Sequence, residues 1–208
     1  NEPEKPVVTA KKEGVIDFLV VSEQTRKPVA GAKVHVHIQR EGPDEKFDVI
    51  TDGNGLCMFD VGSLDTRYIS IEVSKDKFVP MQVYFQREGK LIEVPGYYRL
   101  ELPKGISIGG HVENEQAEAI AGATVSIMVR TERPDEREQV RTNLHDREVQ
   151  TDANGFWRFD ILPQGVGKVY TKFSHPDYVD EIHYRGSGER GRPSFEKFRN
   201  MEAVLVME

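Results

Sequence analysis

Two histidines on one alternating run are the first residues in this chain able to do chemistry. His35 and His37 stand between Val34, Val36 and Ile38. In a strand that spacing throws both imidazoles to one face, the start of a metal chelate if a further ligand approaches from a neighbouring strand. The sequence offers no evident third ligand, so the pair reads as exposed histidines on an outward face. Asp52, Asn54, Asp152 and Asn154 supply oxygen ligands, but each set falls in a short turn and not in the roughly 12-residue loop that calcium takes. They read as turn formers. Cys57 is the single thiol, which excludes an internal disulfide framework. No Ser/His/Asp ordering, paired-carboxylate cleft or phosphate-binding glycine loop can be defended. The expectation is a chain that is not an enzyme, with no catalytic residue, no cofactor and no metal.

The elements that carry these residues are written twice. Lys27-Pro28-Val29-Ala30-Gly31-Ala32-Lys33-Val34 leads to Thr51-Asp52-Gly53-Asn54-Gly55-Leu56-Cys57-Met58-Phe59. Glu118-Ala119-Ile120-Ala121-Gly122-Ala123-Thr124-Val125 leads to Thr151-Asp152-Ala153-Asn154-Gly155-Phe156-Trp157-Arg158-Phe159. A repeat of roughly 100 residues can bury a core of its own, unlike a solenoid repeat. The boundaries expected are an extended arm at 1–13, a first domain at 14–104 and a second at 105–208, joined through Pro103-Lys104-Gly105. Period-two alternation predicts strands at Val15 to Val21, around Val34 to Ile38, Cys57 to Val61, Tyr68 to Val73, Met81 to Gln86 and Tyr97 to Leu102. In the second domain it predicts strands at Ile106 to Val112, Ala123 to Val129, Trp157 to Ile161, Lys168 to Phe173, Asp180 to Tyr184 and Met201 to Met207. Asn54-Gly55 and Asn154-Gly155 read as hairpin turns. No segment shows a helical period. Trp157 and Cys57 occupy equivalent places and are expected in the two cores, Cys57 as a buried, unreactive thiol. The fold class is therefore all-β: two tandem seven-stranded sandwiches of immunoglobulin-like or transthyretin-like layering. Two polar excursions, Thr131 to Asp146 and Arg185 to Asn200, read as solvated loops.

The Pro-Val-Ala-Gly-Ala-Lys-Val and Thr-Asp-x-Asn-Gly segments, with Leu162-Pro163-Gln164-Gly165, resemble the carboxypeptidase regulatory-like, transthyretin-related domain. That resemblance covers nearly the whole chain, twice, and implies a non-catalytic module of secreted or surface proteins. Neighbouring families carry two chemistries with recognisable residue requirements. A Lys-to-Asn amide crosslink, as in pilin-type adhesin domains, needs a Lys on the first strand and an Asn on the last. The first domain has no Asn on Tyr97 to Leu102 and the second no Lys on Ile106 to Val112. Intradiol dioxygenases hold iron with two Tyr and two His. Tyr170, His175, Tyr178 and His183 stand in the comparable place, without the tryptophan motif and closely spaced second histidine.

The net charge of −7 is spread over both signs, with no basic stripe to hold nucleic acid. No apolar run approaches the ~20 residues that cross a bilayer as a helix. The chain begins at Asn1, as a mature secreted chain or an excised fragment would. The ends carry the remaining signal. Val204 and Val206 alternate with Ala203, Leu205 and Met207, so the last strand is apolar on both faces and needs cover. Val7, Val8 and Thr9 form the β-prone centre of an arm that cannot make a core element alone. These five residues, Val7, Val8, Thr9, Val204 and Val206, are the expected assembly interface. The function expected is a structural protein of the extracellular space or cell surface, adding strands head-to-tail into a filament or array, with copies of itself as partner. The alternative is a carbohydrate- or protein-binding accessory module of a larger secreted enzyme, using Tyr84 and Tyr97 against a glycan or protein ligand.

Overall fold

A computed structural model describes residues 14–40, 42–62, 66–86, 95–129, 140–142, 144, 147–166, 169–185 and 193–207, with the backbone alone at 179–185. The expected arm, with Val7, Val8 and Thr9, lies outside the described residues, as does most of the 131–146 excursion. The chain is all-β. It divides into two compact units, Asn1–Val73 with Gln82–Leu102, and Ser74–Met81 with Pro103–Glu208.

The first unit carries β1 (Val15–Ser22), β2 (Lys33–Gln39), β3 (Glu45–Ile50), β4 (Leu56–Asp60), β5 (Tyr68–Ser74), β6 (Met81–Gln86) and β7 (Tyr97–Leu102). Strands β4, β1 and β7 form one sheet in that order, and β6, β5, β2 and β3 are successive neighbours in another. Alternation decides the faces. Ile16, Phe18 and Val20 from the first sheet meet Val34, Val36, Ile38, Ile69, Ile71 and Val83 from the second, and all are fully buried. Each such side chain contributes about 1.5 to 3 kcal/mol by leaving water, which is what holds the two sheets face to face.

The second unit carries β8 (Ile106–Asn114), β9 (Thr124–Val129), β10 (Val140–Thr142), β11 (Arg147–Gln150), β12 (Phe156–Leu162), β13 (Val169–His175), β14 (Tyr178–Arg185), a short helix α1 (Phe195–Arg199) and β15 (Ala203–Met207). Its sheets run β12-β8-β15 and β11-β9-β13-β14, around a core of Ile108, Val112, Val125, Ile127, Trp157, Phe159, Phe173 and Leu205. In both units the last strand lies parallel to the first: β7 beside β1 and β15 beside β8.

The repeated motif works differently from the hairpin expected of it. β3 pairs with β2 and β4 with β1, so the Asp52–Gly55 turn carries the chain from one sheet to the other. The same holds at Asp152–Gly155, between β11 and β12. Only the glycine is left-handed, φ 72° at Gly55 and 69° at Gly155. The Asp52 carboxylate accepts from the amides of Asn54 (2.8 Å) and Leu56 (2.9 Å), and Asp152 does the same for Asn154 and Phe156. The threonine ahead of it ties the two halves of the motif together. Thr51 Oγ1 donates to the Val29 carbonyl (2.7 Å) and accepts from the Ala32 amide (2.9 Å); Thr151 does so with Ile120 and Ala123 at the same distances. One buried hydroxyl thus satisfies a donor and an acceptor that the Ala-Gly-Ala bend would leave orphaned.

Three further expectations are corrected. Strands β3, β10 and β11 were not foreseen: β3 half-buries only Phe47 and Val49 and leaves Ile50 exposed, β10 and β11 are three and four residues long, and β10 with the buried Leu144 falls in the 131–146 stretch expected to be a solvated loop. The 185–200 excursion contains a helix. Ser194 caps it by accepting from Lys197 N at 3.4 Å, and Phe198, 1% exposed, drops onto Trp157 with ring centroids 5.9 Å apart. Cys57 is half-buried, whereas Trp157 is 1% exposed. Strand β4 sets Cys57 opposite the fully buried Phe18, where the other unit sets Trp157 opposite Gly110.

Candidate interaction surface

Strand β15 begins where α1 is shut off, by Met201 at φ 62° and by the Glu202 amide returning to the Lys197 carbonyl at 2.8 Å. Its register on β8 sets Ala203 opposite Gly110, Val204 opposite His111, Leu205 opposite Val112 and Val206 opposite Glu113. Ala203, Leu205 and Met207 are buried. A Cβ at Gly110 would come within 2.9 Å of the Ala203 Cβ, so the absence of a side chain there lets the backbones close. The alternate residues point away from the core, and Val204 and Val206 are 43% and 39% exposed. Among the described residues β15 has one strand partner, β8, and its other edge ends the sheet.

The first unit supplies an internal control. Ile16 opposite Phe59 matches Ile108 opposite Phe159, and Val20 donates to Gly55 as Val112 does to Gly155. Leu100 opposite Val20 is therefore the counterpart of Leu205 opposite Val112. By the same register Arg99 and Glu101 occupy the places of Val204 and Val206. Arg99 and Glu101 pair with each other at 3.4 Å, and Arg26 also pairs with Glu101. Charges at an edge discourage other strands and sheets from docking. One repeat carries that guard and the other carries two valines instead.

Val204 continues a row across the same face, whereas Val206 lies opposite Glu113. Val204, His111 and Phe156 lie side by side on β15, β8 and β12, with the His111 and Phe156 rings 5.2 Å apart. A charged cluster lies further along β12. Asp160 accepts from Ser107 Oγ at 2.5 Å and Arg158 Nε at 2.6 Å, and Arg158 also donates to Ser107 at 3.0 Å. Burial raises the Asp160 carboxyl, but the bonds from Ser107 and Arg158, with the charges of Arg158 and Lys77, outweigh it and hold it below the usual carboxylate range.

The other singled-out residues fall elsewhere. His35 and His37 point outward from β2, each against a carboxylate that sequence spacing did not reveal: Asp48 at 2.6 Å and Asp44 at 2.9 Å. Burial, then the negative charge of Asp52, pushes the Cys57 thiol up to about 11. His175 and Tyr178 face each other where β13 meets β14, rings 5.4 Å apart, while Tyr170 is opposite Arg185 towards the far end of that ladder; the His183 side chain lies outside the described residues. Among the described residues no group of three or more His, Cys, Asp or Glu is disposed to hold a metal. Tyr84 and Tyr97 sit on strands of different sheets and do not form one platform. No helix among the described residues is long and apolar enough to cross a membrane.

No protein-family model matches the chain, the carboxypeptidase regulatory-like domain included, and no curated protein matches it. Solved structures that resemble it include a streptococcal ancillary pilin (11% identity, 96% of this chain and 63% of that one, TM-score 0.36). The Bacillus anthracis TIE protein gives 14% identity over 94% of this chain and 34% of that one, TM-score 0.31. The shaft pilin SpaA of Lactobacillus rhamnosus GG gives 9% identity over 93% and 95%, TM-score 0.34. The chain thus spans less than two thirds of the first two. A likeness this loose decides neither family nor function.

Proposed function

We propose that this chain is a non-catalytic structural protein of the cell surface or extracellular space that assembles with copies of itself, with 14–104 and 105–208 as tandem modules. The observation that carries the reading is the replacement of the Arg99/Glu101 guard by Val204 and Val206 at the same place in the second repeat. The open edge of β15 can accept a strand, and the arm at 1–13, centred on Val7, Val8 and Thr9, is the segment assigned to it. An arm left in water buries too little apolar surface to offset the ~1 to 2 kcal/mol per residue that ordering costs. Docked on a neighbour's β15 it gains a ladder and lies beside the exposed valines. Such a contact joins two different surfaces, so it propagates head-to-tail wherever the rotation between successive copies does not close a ring.

Sedimentation velocity of the full chain over a concentration series tests this. The full chain is expected to form species larger than one chain as concentration rises, and both deletion of 1–13 and Val204→Arg with Val206→Glu to leave single chains. A full chain that stays single throughout, or variants that assemble as well as it does, would overturn the reading.

A further inference from the structure

The outward face of β2 in the first unit holds an arrangement unrelated to β15. His35 and His37 project from alternate positions, their Cα atoms about 6.6 to 6.8 Å apart along a strand. Each is held by its own carboxylate: His35 Nδ1 lies 2.6 Å from Asp48 on β3, and His37 Nε2 lies 2.9 Å from Asp44, just ahead of β3. An ionised carboxylate only accepts, so each of these ring nitrogens is the donor. In the neutral imidazoles the lone pairs are then left on Nε2 of His35 and Nδ1 of His37. Metal-ligating histidines are oriented in this way, with the second nitrogen donating to a carboxylate that fixes the tautomer and raises ligand basicity. The Tyr68 ring stands edge-on to His37, centroids 6.2 Å apart, and limits its rotation. Lys46 lies opposite His37 in the ladder and brings a positive charge to this face, which Asp44 and Asp48 offset.

We propose that His35 and His37 form an open chelate for an imidazole-preferring divalent transition ion, with Asp48 and Asp44 as positioning residues and water in the remaining positions. Two protein ligands make this an accessible, exchangeable site and not a closed structural one, in keeping with the lack of any described group of three or more ligands. Preference follows imidazole chemistry: Cu²⁺ above Ni²⁺ and Zn²⁺, with Ca²⁺ and Mg²⁺ not competing.

Calorimetric titration of the full chain with Zn²⁺ and with Ni²⁺, near neutral pH in a non-chelating buffer, tests the assignment. One ion per chain is expected, weakened at least about 10-fold by either His35→Ala or His37→Ala, and weakened about 10-fold by Asp48→Asn with the histidines intact. Circular dichroism of each variant, matched to the parent, confirms that the fold is retained. Binding should fall as the solution is acidified, because protons compete for the imidazoles. No saturable binding below about 1 mM, binding retained in the double histidine variant, or equal displacement by Ca²⁺ would each overturn the proposal.

Discussion

Trp157 lies opposite Gly110 in the β12–β8 ladder, and at the equivalent place in the other repeat Cys57 lies opposite Phe18. The large ring and the small residue have exchanged strands while the layer between the sheets stays filled. Cores tolerate such paired changes when total volume is kept. The exchange is incomplete in one respect: Trp157 is sealed by Phe198 of α1, and its indole Nε1 has no hydrogen-bond partner among the described residues.

Trp157→Ala should cost about 3 to 5 kcal/mol, as truncation of a large buried ring does. Chemical denaturation followed by circular dichroism reads this directly. An unfolding midpoint within error of the parent's would contradict the burial.

Thr51→Val and Thr151→Val keep the shape of the side chain and remove its hydroxyl. Each leaves a buried amide, Ala32 or Ala123, and a carbonyl, Val29 or Ile120, without their partner. The loss expected is about 1 to 3 kcal/mol in each case. Serine at the same positions, which restores the hydroxyl, should recover most of it.

The Asp160 carboxyl titrates lower in the folded chain than in the unfolded one. Its contribution to stability is therefore complete above the unfolded value, near 3.9, and is lost as pH falls through the folded value. Thermal unfolding between about pH 6 and pH 3 should show a smaller acid-side loss for Asp160→Asn than for the parent. Parallel curves for the two proteins would dismiss the Ser107–Asp160–Arg158 network as a source of pH dependence.

Cys57, with its pKa pushed up to about 11, holds almost no thiolate at neutral pH. Iodoacetamide should label the folded chain far more slowly than the unfolded one near pH 8, and the rate should climb until about pH 11. Asp52→Asn, which removes the second cause of the shift, should speed labelling. Folded and unfolded chains that react alike would refute the shielding.

The strands whose residues alternate cleanly were legible in sequence, and Met81–Gln86 and Tyr97–Leu102 match to the residue. Two kinds of feature were not. Asp52-x-Asn-Gly55 announces a tight turn, but a turn has the same local chemistry whether the next strand joins the same sheet or the opposite one; only partners distant in sequence, β1 and β2, decide that. Helix α1 is a single turn and a half, too short for periodicity to register, and exists because Phe198 has a tryptophan to cover. At the candidate surface, Val204 and Val206 were visible as apolar residues needing cover. What sequence withheld was the register making Arg99 and Glu101 their counterparts, since the two final strands share almost no residues. The carboxylates beside His35 and His37 were hidden by register too: Asp44 and Asp48 stand only 7 and 13 residues beyond their histidines, but become their neighbours only once β3 folds back on β2.

In each unit the first strand and the last run side by side in the same direction, over six residue pairs between β1 and β7 and five between β8 and β15. Pulling the two ends of such a unit apart drags one strand along the other. The hydrogen bonds of that ladder then share the load together, where an antiparallel pair gripped at one end would peel open bond by bond. Under tension the ladders β1/β7 and β8/β15 are thus loaded in shear, and mechanical rupture is a matter of unfolding rate and not of equilibrium stability.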